Sequence, residues 1–92
     1  MDNEAIINAD EPVIYVGPNS FELMMKKFQV FTGGLPLYVK RAIEQIPKIE
    51  RLIVPVSQLE EMRAKIEKSG TYEARTFYDV EKEIGKLKAK GK

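Results

Sequence analysis

The stretch VIYVGPNSFELMMKKF, residues 13–28, decides how this chain is read. Val13-Ile14-Tyr15-Val16 is an unbroken apolar run of β-formers, too apolar for a strand that is wet on one face. Gly17-Pro18 stops it. Asn19 is followed three residues on by Glu22, the spacing of a helix capping box. Phe21, Met24, Met25, Phe28 and Phe31 then recur at helical spacing, which predicts a helix that Thr32-Gly33-Gly34 ends. Strand, tight loop and helix is also how many α/β proteins hold a phosphate. Here Pro18 removes a backbone donor, and neither GxGxxG nor GxxxxGK[ST] is present. The loop therefore reads first as a strand end capped into a helix.

Downstream, Pro36 suits the first turn of a second helix, with Val39, Ala42, Ile43 and Ile46 as its apolar stripe and Pro47 as its stop. Leu52-Ile53-Val54 reads as a second buried strand, with Pro55 at its end or at a sheet edge. Ser57 and Glu60 repeat the capping-box spacing ahead of Leu59, Met62 and Ile66. Tyr72 to Phe77 alternates aromatic and β-branched residues with polar ones, which predicts an outer strand. Asp79 is then the cap of a last helix bearing Val80, Ile84 and Leu87.

The order β-α-α-β-α-β-α argues for an α/β fold: a small three-layer-like domain around a short, mostly parallel sheet. The expected core is Val13, Ile14, Val16, Leu23, Met24, Phe28, Ile43, Ile53, Val54, Leu59, Met62, Ile66 and Ile84. The expected organisation is a loosely ordered acidic arm over 1–11, one domain over 12–88, and a frayed lysine-rich tail over 89–92.

Composition narrows the chemistry. The 92 residues suit one domain, 43% hydrophobic and 32% charged. No apolar run is long enough to span a membrane, and the acidic N-terminus is not a secretory signal, so a soluble, cytoplasmic protein is expected. There is no Cys, His or Trp. Thiol nucleophiles, sulfur-ligated metals and the usual neutral-pH acid–base group are thereby excluded. No catalytic constellation assembles, and no cofactor or metal is called for. Absent Cys with plentiful Lys and Glu is also a composition shared with thermophile proteins.

The net charge of +1 hides an asymmetry. All five acidic residues up to Glu22 precede the first basic one, Lys26, so the remainder carries 15 basic against 9 acidic residues. Two candidate sites follow. In a parallel sheet, Gly17, Asn19, Ser20, Ser57 and Asp79 would gather at the carboxyl ends of the strands as a ligand loop. Lys26, Lys40, Arg41, Arg75, Lys86 and Lys88 are the candidate nucleic-acid contacts, with aromatics around Arg75 available for stacking. The functional expectation is a protein-interaction or regulatory module acting through self-association, as a homodimer joined at the open edge of the Tyr72 strand, or through a protein partner. Chromatin- or RNA-associated nucleic-acid binding is the alternative.

Overall fold

The computed structural model describes residues 11–90. Strand β1 (Val13–Tyr15) is the centre of a three-stranded sheet, flanked by β2 (Val30–Phe31) and β3 (Ile53–Pro55). Both pairings are antiparallel: Val13 faces Phe31 on one side and Pro55 on the other, and Tyr15 faces Ile53. Three α-helices follow the hairpin, α1 (Leu37–Gln45), α2 (Leu59–Glu67) and α3 (Tyr72–Lys90). Short 3₁₀ segments, Pro47–Leu52 and Val56–Gln58, lead into and out of β3. The architecture is α+β, which corrects the expected parallel sheet and its element order.

The correction begins at the opening stretch. Residues 19–31 form no helix: the chain turns back on itself and returns as β2. Ser20 and Met25 exchange backbone hydrogen bonds at 2.8 and 2.9 Å around a turn. Further down the arm, Tyr15 N–H donates to the Gln29 carbonyl at 3.0 Å, and Phe28 N–H donates to the Tyr15 carbonyl at 2.6 Å. Met24 and Phe28 have φ of 59° and 70°, a left-handed backbone no α-helix contains. The polar residues of the expected cap serve the hairpin instead. Asn19 Oδ1 accepts from the Lys27 N–H at 2.7 Å, and Ser20 Oγ accepts from the Leu23 N–H at 3.1 Å. Burial is sorted accordingly: Leu23, Met25 and Phe31 face inward, while Met24 and Phe28, both expected in the core, are exposed. Gly33 and Gly34 do take left-handed backbone, at the end of a strand and not of a helix.

The second correction is at Tyr72–Phe77, which is the first part of α3. Thr71 caps it, its Oγ1 accepting from the Ala74 N–H at 3.0 Å. Thr76, Val80 and Ile84 then lie buried at a spacing of four, on one helical face with the half-buried Leu87. That continuous stripe outweighs the β-propensity of Tyr72, Thr76 and Phe77. Asp79, expected to start a helix, sits in the middle of one. The strand edge proposed for dimerisation does not exist. The Ser57–Glu60 capping box does not form either: α2 has no side-chain cap, and Ser57 Oγ donates to Glu11 Oε2 at 3.0 Å.

The core packs around β1, whose three residues are all buried, together with Val16, Val39, Ala42, Ile46, Ile49, Leu52, Ile53, Val80 and Ile84. Val54, Ile43, Leu59, Met62 and Ile66 pack against it half-buried. Pro55 lies, as its missing donor requires, at the end of an edge strand.

Candidate functional site

The segment Ile46–Leu52 builds the site. A 3₁₀ helix has three residues per turn, so side chains three apart stack in one row. Ile46, Ile49 and Leu52 form the inward row and are buried. Lys48 and Arg51 form a second row, exposed to solvent. This row faces α3, and a groove of about 660 Å³ runs between them. Its charged walls are Lys48, Arg51, Arg75, Lys82 and Lys86, against Asp79 and Glu83. Five cations therefore meet two carboxylates in a chain whose total charge is +1.

Asp79 ties the two walls together. Lys48 Nζ reaches its Oδ2 at 2.7 Å, and Arg75 Nε, one helical turn earlier, reaches its Oδ1 at 3.3 Å. The Lys48 hydrogen bond holds the Asp79 carboxyl below the usual carboxylate range; partial burial opposes this and Arg75 adds to it. A depressed carboxyl pKa stabilises the fold above the unfolded-state value, near 4, and that contribution is lost as pH falls through the folded-state value. Asp79→Asn is therefore expected to lower stability at pH 7 and to lower it less at pH 2. Urea unfolding of both proteins at the two pH values checks this; an equal loss at both would place the effect in packing.

The sequence-expected ligand loop does not assemble. Gly17, Asn19 and Ser20 follow the C-terminal end of β1. Ser57 follows β3, which runs the other way, so it lies at the opposite end of the sheet, beside Pro12 and Glu11. Asp79 is in the groove on α3. Gathering them required parallel strands.

Of the expected nucleic-acid contacts, Arg75 and Lys86 line the groove. Lys88 lies on the surface of α3 next to Asn19 and Lys27. Lys26 is exposed on the hairpin, and Lys40 and Arg41 are exposed on α1, none of them lining the groove. Lys48, Arg51 and Lys82 were missed. The signal that would have found the first two is the period-three apolar row Ile46-Ile49-Leu52, which turns positions 48 and 51 outward together.

A second feature is the hairpin tip. Phe21 and Met24 are 93% and 63% exposed, joined by a turn in which the Met24 N–H donates to the Phe21 carbonyl. Phe28, also exposed, has the cationic heads of Lys27 and Arg63 at 5.8 and 5.4 Å from its ring centre.

Among the described residues, no group of three or more acidic, His or Cys side chains is placed to hold a metal ion, and no helix is long and apolar enough to cross a membrane. Compared with protein-family models, with curated proteins and with solved structures, the chain matches none.

Proposed function

We propose that this chain is a protein-interaction module that associates with a second copy of itself through the Ser20–Phe31 arm. The observation that carries the reading is Phe21, 93% exposed at the hairpin tip beside Met24. Burying one such side chain is worth about 1.5–3 kcal/mol. Met24 is held at φ 59°, a conformation that costs a residue with a Cβ about 1–2 kcal/mol and glycine almost nothing. Strain that keeps a large apolar side chain in water is a pattern of functional surfaces. The same arm carries β2, which among the described residues has a strand neighbour on one side only and exposes Val30. An open strand edge next to an apolar tip is self-complementary, as a two-fold interface requires.

Sedimentation of the full chain at micromolar concentration tests the proposal. The expected result is a dimer of the 10.5 kDa chain. Phe21→Ser/Met24→Ser should sediment as a monomer with an unchanged far-UV spectrum, since neither side chain is in the core. A wild-type monomer, or a dimer that survives the double substitution, overturns the reading.

A further inference from the structure

The groove between Ile46–Arg51 and α3 carries a second function, independent of self-association: we propose that it binds single-stranded nucleic acid. Lys48 and Arg75 are engaged by Asp79, and Lys86 reaches Glu83 at 3.5 Å in an exposed pair. Arg51 and Lys82 have no carboxylate within 4.0 Å among the described residues. Each lies instead over a tyrosine ring. The Arg51 guanidinium is 5.4 Å from the centre of Tyr72, and Lys82 Nζ is 5.4 Å from the centre of Tyr78. Both tyrosines are more than half exposed, at 59% and 54%.

The helix repeat explains why these groups share a surface. At about 100° per residue, Tyr78, Lys82, Arg75, Lys86, Asp79 and Tyr72 fall within an arc of about 120°. Thr76, Val80 and Ile84 occupy the buried face beside it. One face of α3 thus presents a row of cations flanked by two exposed aromatic rings, and Arg51 closes the row from the 3₁₀ segment.

Cations that track phosphates and aromatic faces that accept bases are the two components of single-strand binding. An acidic peptide would use the cations and leave the rings without a role. A duplex hides its base faces and would use the rings no better. Asp79 does not oppose a bound backbone strongly, because Lys48 and Arg75 already neutralise it.

Fluorescence anisotropy of labelled fifteen-residue oligo(dT) and oligo(rU) with the full chain tests this across a salt series starting at about 50 mM. Binding with a dissociation constant in the micromolar range is expected. Arg51→Gln/Lys82→Gln should weaken it at least about tenfold and lower the log–log salt slope by about 1.4, since each phosphate contact on a single strand contributes about 0.7. Tyr72→Ala/Tyr78→Ala should weaken binding and leave the slope unchanged. Lys40→Gln/Arg41→Gln, away from the groove, should change neither. Circular dichroism verifies that each variant keeps its helices. No binding at about 100 μM protein in the lowest salt, or equal losses from the α1 control, overturns the proposal. So does tighter binding of a duplex of the same length, or of polyglutamate.

Discussion

Gly17→Ala should destabilise the domain by about 3 kcal/mol or more, summing overpacking with a lost buried hydrogen bond. The substitution is ordinarily mild. Gly17 does not sit in left-handed backbone, and there alanine gains about 0.4–1 kcal/mol by restricting the unfolded chain. Here the added Cβ would lie 2.6 Å from Cζ and Oη of Tyr15. That ring cannot move aside. It is fully buried, and its hydroxyl donates to the Pro18 carbonyl at 2.7 Å, closing the chain over the glycine. Moving the ring breaks this bond and leaves a buried carbonyl without a donor. Tyr15→Phe isolates the second part and should cost about 1–3 kcal/mol. The same variant carries a pH signature. Burial pushes the Tyr15 phenol above its ordinary value of 10.0, so its contribution is intact below about pH 10. Above that, the unfolded chain releases the proton first and stability falls. The phenylalanine variant should lack this part of the alkaline loss. Urea unfolding at neutral and alkaline pH measures both effects. A Gly17→Ala protein as stable as wild type would mean that the ring is not packed against residue 17.

What was legible in the sequence follows from which interactions are local. The run Val13–Val16 declares a buried strand in its composition alone; all four residues are buried and Val13–Tyr15 form the strand. Helix α1 was readable because Pro36, the stripe Val39-Ala42-Ile46 and Pro47 all agree. The partners of β1 were not readable. β2 is two residues long, too short for any alternation to show, and it pairs only because the excursion over residues 16–29 brings it back. The spacing of Phe21, Met24, Met25, Phe28 and Phe31 fits a helix face by coincidence, and the left-handed residues that refute it are a tertiary outcome. Tyr72–Phe77 failed in the opposite direction. Its local β-propensity points to a strand, whereas the continuation Thr76-Val80-Ile84 carries the helical period. The groove was half legible. Arg75 and Lys86 stand out as charges, but their neighbours Lys48 and Arg51 come from a segment whose period is three, a spacing neither helix nor strand templates look for.

That period-three row also carries the second large effect. Leu52→Ala should cost about 2–5 kcal/mol, the range for truncating a fully buried leucine. Leu52 and Ile49 are both 0% exposed, stacked in one row of the 3₁₀ segment. A helix of this kind has weak hydrogen-bond geometry and is held chiefly by what its side chains bury. The Leu52 carbonyl also accepts the Val16 N–H at 2.8 Å, fixing the segment to the end of β1. Removing the side chain leaves a cavity in the core, and the backbone bond to Val16 resists its collapse. Leu37→Ala on the exposed start of α1 provides the contrast and should change stability by less than about 0.5 kcal/mol. The consequence reaches the groove, because Lys48 and Arg51 are positioned only while Ile49 and Leu52 are seated. Leu52→Ala should therefore also erode the stability difference between wild type and Asp79→Asn, since Lys48 no longer meets Asp79 at a fixed distance. Leu52→Ala, Asp79→Asn and the double variant form a cycle in which the Asp79→Asn loss is expected to be smaller in the Leu52→Ala background. Strict additivity would show that the inward row and the groove are built independently.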